Sequence, residues 1–311
     1  MEFIMEKQSI HASRAAKSAV ESVAKIIFVV CGAVGIAAVC AITFYMILSG
    51  VPAVLKVGLP EILFNSVWSP TGQNPQFGIL YIILTSIVGT FFAVLIGVPI
   101  GLLSAVFLAE VAPKGLAKMV QPAVELLAGI PSVIYGLLGL MILNPLMYKL
   151  ELKIFEGSTT HQFTGGSNLI SAVFVLAIMI LPTVINISET ALKSVPKQLK
   201  EASYGLGGSK IQTIFKVQIP AAQSGIITAI VLGVGRAVGE AMAISLVAGS
   251  AVNFPLPFNS VRFLTTAIVS EMGYAADTHR QVLFTIGLVL FVFIMLINLC
   301  LNKVLKKGEE K

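Results

Sequence analysis

The sequence predicts an all-α polytopic membrane protein with six transmembrane helices, and three observations carry that prediction. Of 311 residues, 56% are hydrophobic and only 12% are charged, about half the ~25% charged share of a soluble domain. Apolar runs recur along the whole chain, and six of them reach the ~20 residues that a helix needs to cross a bilayer. All but one of the 21 Lys and Arg residues fall between those runs rather than inside them. So little charge does not cover a chain of this length for water, which excludes a soluble enzyme. The net charge of +6 then reports topology rather than nucleic-acid binding.

The runs are 26–48, 79–108, 126–148, 169–187, 225–252 and 282–301. The first is longer than the ~7–15-residue core of a signal peptide, so it is expected to be retained. Fifteen of the 21 Lys and Arg lie on one side of these spans. They occupy the N-terminal tail (Lys7, Arg14, Lys17, Lys25), the second connection (Lys114, Lys118), the fourth (Lys193, Lys197, Lys200, Lys210, Lys216) and the C-terminal tail (Lys303, Lys306, Lys307, Lys311). The other side carries Lys56, Lys149, Lys153, Arg262 and Arg280. By the positive-inside rule both termini are expected in the cytoplasm. The organisation that follows is a cytoplasmic tail over 1–25, a first span with its external loop over 26–76, a main membrane body over 77–301 and a cytoplasmic tail over 302–311. Of the external connections 51–77, 149–168 and 253–281, the last holds an apolar stretch between Phe263 and Met272, read as either a short helix or a plain loop.

Gly97-Val-Pro-Ile-Gly101 and Gly235-Arg-Ala-Val-Gly239 place small residues at a spacing that lets helix backbones approach closely. Pro99, Pro131 and Pro182 lie within or near the starts of spans, where a freed carbonyl must face protein or a wet cavity. Cys31, Cys40 and Cys300 lie in apolar runs without metal-ligand spacing and are expected to be core-filling residues. His11, His161 and His279 are scattered over polar segments, and no pair has metal spacing. Gly207-Gly-Ser-Lys210 is not a phosphate loop, because it lacks the full motif and follows no strand.

One pair of charges does enter a span. Arg236 and Glu240 lie near the midpoint of 225–252, where a charge costs ~3 kcal/mol or more. At i,i+4 on a continuous helix both project from one face and can pair, and that face must look into the protein. A guanidinium stays protonated and its planar fork matches phosphate or carboxylate oxygens. The spacing leaves two readings, a site on an anion path with Glu240 holding the Arg while the path is empty, or a permanent ion pair fixing helix register. Ser132 and Tyr135, at a broken helix start, can offer hydroxyls to the same anion, although core packing or a backbone bond explains them as well.

The fourth connection, 188–224, is far longer than the 2–8 residues that usually join helices. It reads as two short amphipathic helices broken at Gly207-Gly208 and ended by Pro220, or as a solvated loop. Glu201-Ala202, Gly207, Val217, Ile219 and Pro220 fall at the spacing of the EAA loop of ABC importer permeases, with Ser203 departing from the second Ala. The chain thus resembles that family over roughly 77–301. Trp68-Ser-Pro, Phe77-Gly-Ile-Leu, Gly89-Thr90, Leu127-Ala-Gly-Ile-Pro-Ser-Val-Ile-Tyr-Gly136, Gly233-Val-Gly-Arg-Ala-Val-Gly-Glu-Ala-Met-Ala243 and Leu264-Thr-Thr-Ala-Ile-Val-Ser-Glu-Met-Gly273 are similar to its phosphate-permease branch, the PstC type.

The resemblance implies a type I ABC importer permease fold and a subunit that is not itself an enzyme. It implies that Arg236 and Glu240 line the path of inorganic phosphate, with Ser132 and Tyr135 as further candidates. Glu201, Ala202, Gly207, Ile219 and Pro220 would couple to an ATPase. Implied partners are a second permease of the PstA type, an ATPase dimer of the PstB type that holds ATP and Mg, and an extracytoplasmic phosphate-binding protein of the PstS type. No cofactor on this chain and no nucleic acid are implied, and the place is a bacterial or archaeal cytoplasmic membrane. Alternatives are a PstA-type permease, a permease for molybdate or phosphonate, and an ion-coupled secondary transporter.

Overall fold

The computed structural model describes residues 2–309, with side chains for 21–300 and for 303. Lys311, at the end of the expected C-terminal tail, lies outside the described residues. The chain divides into two units, 1–49 and 50–311. The first unit is helix throughout its described part. Helix α1 (Glu2–Val57) begins there, so the expected N-terminal tail continues the helix of the first span instead of preceding it. Phe28, Val34 and Ile36 stand exposed on this stretch, as suits side chains that meet lipid. Cys31, Cys40 and, on the last helix, Cys300 are also exposed. The expectation that the cysteines are core-filling residues is therefore corrected, since all three are exposed apolar positions.

The second unit is built on three helices. Helix α3 (Leu80–Val106) continues as a π-turn over Phe107–Val111 and packs against α7 (Leu169–Lys193) and α11 (Gln223–Gly239). Gly97 and Gly101 explain how closely α3 meets α7. A methyl group at Gly97 would lie 2.7 Å from Ile180, and one at Gly101 2.8 Å from Val184. This first G-x-x-x-G pattern thus makes an ordinary intramolecular contact. The second does not, for Gly235 and Gly239 face open space.

Among the described residues, five stretches are long and apolar enough to cross a membrane: Glu21–Val57, Leu80–Val111, Ser132–Ile154, Leu169–Lys193 and Asp277–Cys300. Two expectations need correction. The third span does not begin at 126. Residues Lys114–Gly129 form a separate helix, α4, which ends before Pro131, and the span opens at Ser132 with α5 (Ser132–Leu138), a π-turn over Gly139–Leu143 and α6 (Asn144–Ile154). Proline lacks the N–H that would continue α4 and biases Ile130 toward the extended backbone it shows.

The second correction concerns the fifth span, which is not one helix over 225–252. Helix α11 ends at Gly239, Glu240 is extended, and a six-residue helix, α12 (Met242–Val247), follows. The 17 residues of α11 rise only ~26 Å, short of the ~30 Å hydrocarbon core. On its other side α11 follows Lys210–Ala221 across a bend of 71°. The connection 194–222 holds α8 (Lys197–Gly205), α9 (Lys210–Thr213), a π-turn over Ile214–Gln218 and α10 (Ile219–Ala221). The expected break at Gly207-Gly208 is present. The helical stretch Lys210–Ala221 ends one residue after Pro220, as expected, before the bend into α11.

At the end of the unit opposite α8 lie α2 (Leu59–Phe64), a hairpin pairing Trp68 with Phe77, and α13 (Leu264–Glu271), which is the short helix read between Phe263 and Met272. Ile62, Ile79, Ile82, Leu264, Leu283 and Ile286 are fully buried beneath them. The last helix, α14 (Asp277–Glu309), meets the end of α1, where the Thr285 hydroxyl donates to the Gly50 carbonyl at 2.9 Å. Gly89 leaves room for the Phe263 ring, since a methyl group there would sit 2.5 Å from it. The histidines are not idle at this end. His279 Nε2 lies 2.7 Å from Glu271, whose carboxylate also accepts from Trp68 Nε1 at 3.1 Å and from Arg262. His161 likewise sits 2.8 Å from the fully buried Glu151.

Candidate functional site

Helix α11 brings Arg236 to the core by way of Gly233. A methyl group at Gly233 would lie 3.1 Å from Val184, so α11 approaches α7 closely one turn before the arginine. Ala237 and Val238 are buried in that contact. Arg236 itself is half-buried. Its Nη1 donates to the Thr183 hydroxyl on α7 at 3.3 Å. Thr183 follows Pro182, and sequence reasoning missed it. A hydroxyl beside a helix-interior proline was the available signal.

Glu240 does not pair with Arg236. No ion pair joins them among the described residues. The i,i+4 argument requires a continuous helix, and the helix stops at Gly239. Glu240 is instead buried, and its carboxylate accepts from the Ala243 N–H at 2.8 Å, closing the first turn of α12. Its carbonyl accepts from the Thr265 hydroxyl at 2.6 Å. Both bonds supply partners to backbone groups that the break would leave unmet in an apolar surrounding. Glu240 thus supports the break, and the guanidinium is left bonded to a neutral hydroxyl.

Ser132 and Tyr135 are on α5, which crosses α12 at close range. A methyl group at Gly136 would meet the Ala243 Cα at 2.7 Å. The Tyr135 hydroxyl is engaged, donating to the Leu127 carbonyl at 2.7 Å. That bond spans the Pro131 break and adds a second donor to a carbonyl that also accepts from the Ile130 N–H at 3.3 Å. Ser132 opens α5 directly behind Pro131 and is half-buried. The structure therefore gathers Arg236, Thr183 and Tyr135 around two helix breaks, one before α5 and one before α12. Gly235 and Gly239 leave the face beside Arg236 open.

The second candidate region is the segment carrying Glu201, Ala202, Gly207, Ile219 and Pro220. Gly207 adopts φ +80, and the N–H groups of Gly208 and Gly207 donate to the carbonyls of Ser203 and Tyr204 at 2.9 Å each. This left-handed turn closes α8 and favours glycine at that position. Ser209 and Gln212 form a reciprocal cap on α9, and Ser203 and Thr213 share a hydrogen bond of 2.8 Å. Glu201 and Ala202 are exposed on α8, and Pro220 is exposed at the start of α10. Ile219 packs against a core formed by Ala105, Leu192 and Ile214. Leu206 is 91% and Ile211 70% exposed beside a groove of about 470 Å³ that includes Leu199, Ala202, Lys216 and Val217. A rigid element with bare apolar side chains is suited to receiving another protein.

Known proteins similar to this chain indicate its family. Residues 97–308 match the family described as the binding-protein-dependent transport system inner membrane component. A probable ABC transporter permease protein, YqgH of Bacillus subtilis, is 40% identical over 283 residues, covering 88% of each chain. The phosphate transport system permease protein PstC of Pasteurella multocida is 34% identical over 265 residues, covering 81% of each. Among solved structures, a bacterial ABC transporter involved in the import of the acidic polysaccharide alginate superposes with a TM-score of 0.56 at 17% identity, covering 83% of this chain and 88% of that one. Its likeness is one of fold. With five apolar crossings among the described residues, a further apolar stretch that carries Arg236 and breaks after Gly239, and an exposed element ahead of it, the chain belongs to the binding-protein-dependent transport system inner membrane component family and is a permease subunit of an ABC importer.

Proposed function

We propose that this permease carries inorganic phosphate inward across the cytoplasmic membrane, with Arg236 as the cation beside which the anion passes. The observation that carries the reading is the state of Arg236. It sits in the last turn of the apolar helix α11, beside the break at Glu240, half-buried and held by a neutral hydroxyl and not by a carboxylate. An unneutralised guanidinium lowers the barrier to an anion in a low-dielectric path, and its fork matches phosphate oxygens. Several PstC proteins at 30–36% identity over most of the chain support phosphate as the solute. The Lys and Arg distribution supports cytoplasmic termini. The exposed α8–α10 element, with Glu201, Ala202, Gly207, Ile219 and Pro220, is then the coupling site for a PstB-type ATPase dimer that holds ATP and Mg. This chain itself holds no cofactor. A PstA-type permease would close the path along the face of Gly235 and Gly239, and a PstS-type binding protein would deliver phosphate from the other side.

Replacing Arg236 with Gln tests this. Uptake of labelled phosphate by the reconstituted complex is expected to fall to background, while assembly and ATPase docking survive. Normal uptake by that variant would show the arginine to be structural. The name of the Bacillus subtilis relative specifies no solute, and a guanidinium accepts other oxyanions. Binding measurements on the companion binding protein distinguish phosphate from molybdate or phosphonate.

A further inference from the structure

Glu110 is the single charged residue of 80–111, a stretch otherwise apolar enough to cross the membrane. It stands at the end of that stretch, in the π-turn Phe107–Val111, with its side chain only 11% exposed. Its two oxygens are divided between two elements. Oε1 accepts from Lys200 Nζ on α8, and Oε2 accepts from Gln218 Nε2 at 3.2 Å, in the second π-turn, Ile214–Gln218. Gln218 is fully buried. A π-turn inserts an extra residue and re-aims the side chains after it, and such turns gather at functional sites. Here two of them present the two ends of one contact.

The tether matters because of what α8 lacks. None of its residues is buried, so no apolar core fixes it to the bundle. It is joined to the following turn through Ser203 and Thr213 and to α3 through Lys200. Apolar contacts such as that of Ile214 with Ala105 and Val106 resist separation but permit sliding. A charge-assisted hydrogen bond to a half-buried carboxylate also fixes direction.

We infer that Glu110 is a positioning residue of the transport cycle, clamping α8 through Lys200 and the 214–218 turn through Gln218 to the end of the second span. A displacement imposed on α8 by the ATPase is then delivered to α3. The inference rests on the reading of α8 as the coupling element and not on the identity of the solute.

The test uses the complete transporter with Cys31, Cys40 and Cys300 replaced and spin labels at Leu103 on α3 and Lys197 on α8. In the parent complex the distance between the labels is expected to be the same with and without trapped nucleotide, because α3 and α8 move together. In E110Q it is expected to change on trapping, and phosphate taken up per ATP hydrolysed to fall by about tenfold, within the usual range for coupling between sites. K200M is expected to act alike and serves if E110Q fails to assemble. The exchange E110K with K200E is expected to restore the fixed distance. A distance that changes equally in the parent and the variants, or in none of them, would overturn the inference. Should the parent complex take up no phosphate while the distances behave as described, the solute assignment fails and the tether stands.

Discussion

Arg236 was legible as a residue because a guanidinium in an apolar run has no bland place to go. Its partner was not legible. Reading Glu240 at i,i+4 presumed a helix through Gly239-Glu240-Ala241, and no proline marks the stop. The break is held from a distance, by Thr265 on the Glu240 carbonyl and by the Glu240 carboxylate on α12, and such contacts leave no local trace in the sequence. Thr183 emerged only once Gly233 had drawn α11 onto α7. A Thr183→Val substitution keeps the volume and removes the acceptor that orients Arg236. Phosphate uptake is expected to drop about five- to tenfold, equivalent to the ~1–1.5 kcal/mol of one hydrogen bond. Uptake at the parental rate would mean that the arginine is positioned without Thr183.

At the scale of elements, hydropathy located the spans because length and apolarity are what a bilayer demands of a helix. It misplaced the start of the third, since the apolar end of α4 merges with α5 in composition and only Pro131 separates them. The π-turns were invisible, as their extra residue has no compositional mark. Loop geometry was equally hidden, although one loop makes a sharp prediction. Between α6 and α7, Gly166 has φ +83, and a methyl group there would lie 1.9 Å from the Asn144 carbonyl oxygen. Both the left-handed backbone and the clash oppose any side chain. Gly166→Ala is expected to destabilise the folded protein by at least ~2 kcal/mol, seen as earlier loss of monodisperse protein on heating in detergent. Gly115→Ala, which meets nothing within 4 Å, is the matched control and is expected to leave the transition unchanged. Equal behaviour of the two would show that the loop relaxes freely.

For the whole molecule, a path between two permeases explains features that look like faults in a single chain. Gly235 and Gly239 face open space, Arg236 is half-exposed with no ion pair among the described residues, and α8 and the segment after it carry bare apolar side chains. Each becomes sensible with the ATPase that membership of the importer family implies and with the second permease proposed above. The claim at the centre is that positive charge at position 236 lets an anion through. The most direct measurement is phosphate uptake by Arg236→Cys in the background lacking Cys31, Cys40 and Cys300, before and after treatment with thiol reagents of different charge. The unmodified variant is expected to be inactive, a cationic reagent to restore part of the uptake, and neutral or anionic reagents of similar size to restore none. Full uptake by the unmodified cysteine variant, or equal rescue by the neutral reagent, would contradict the account.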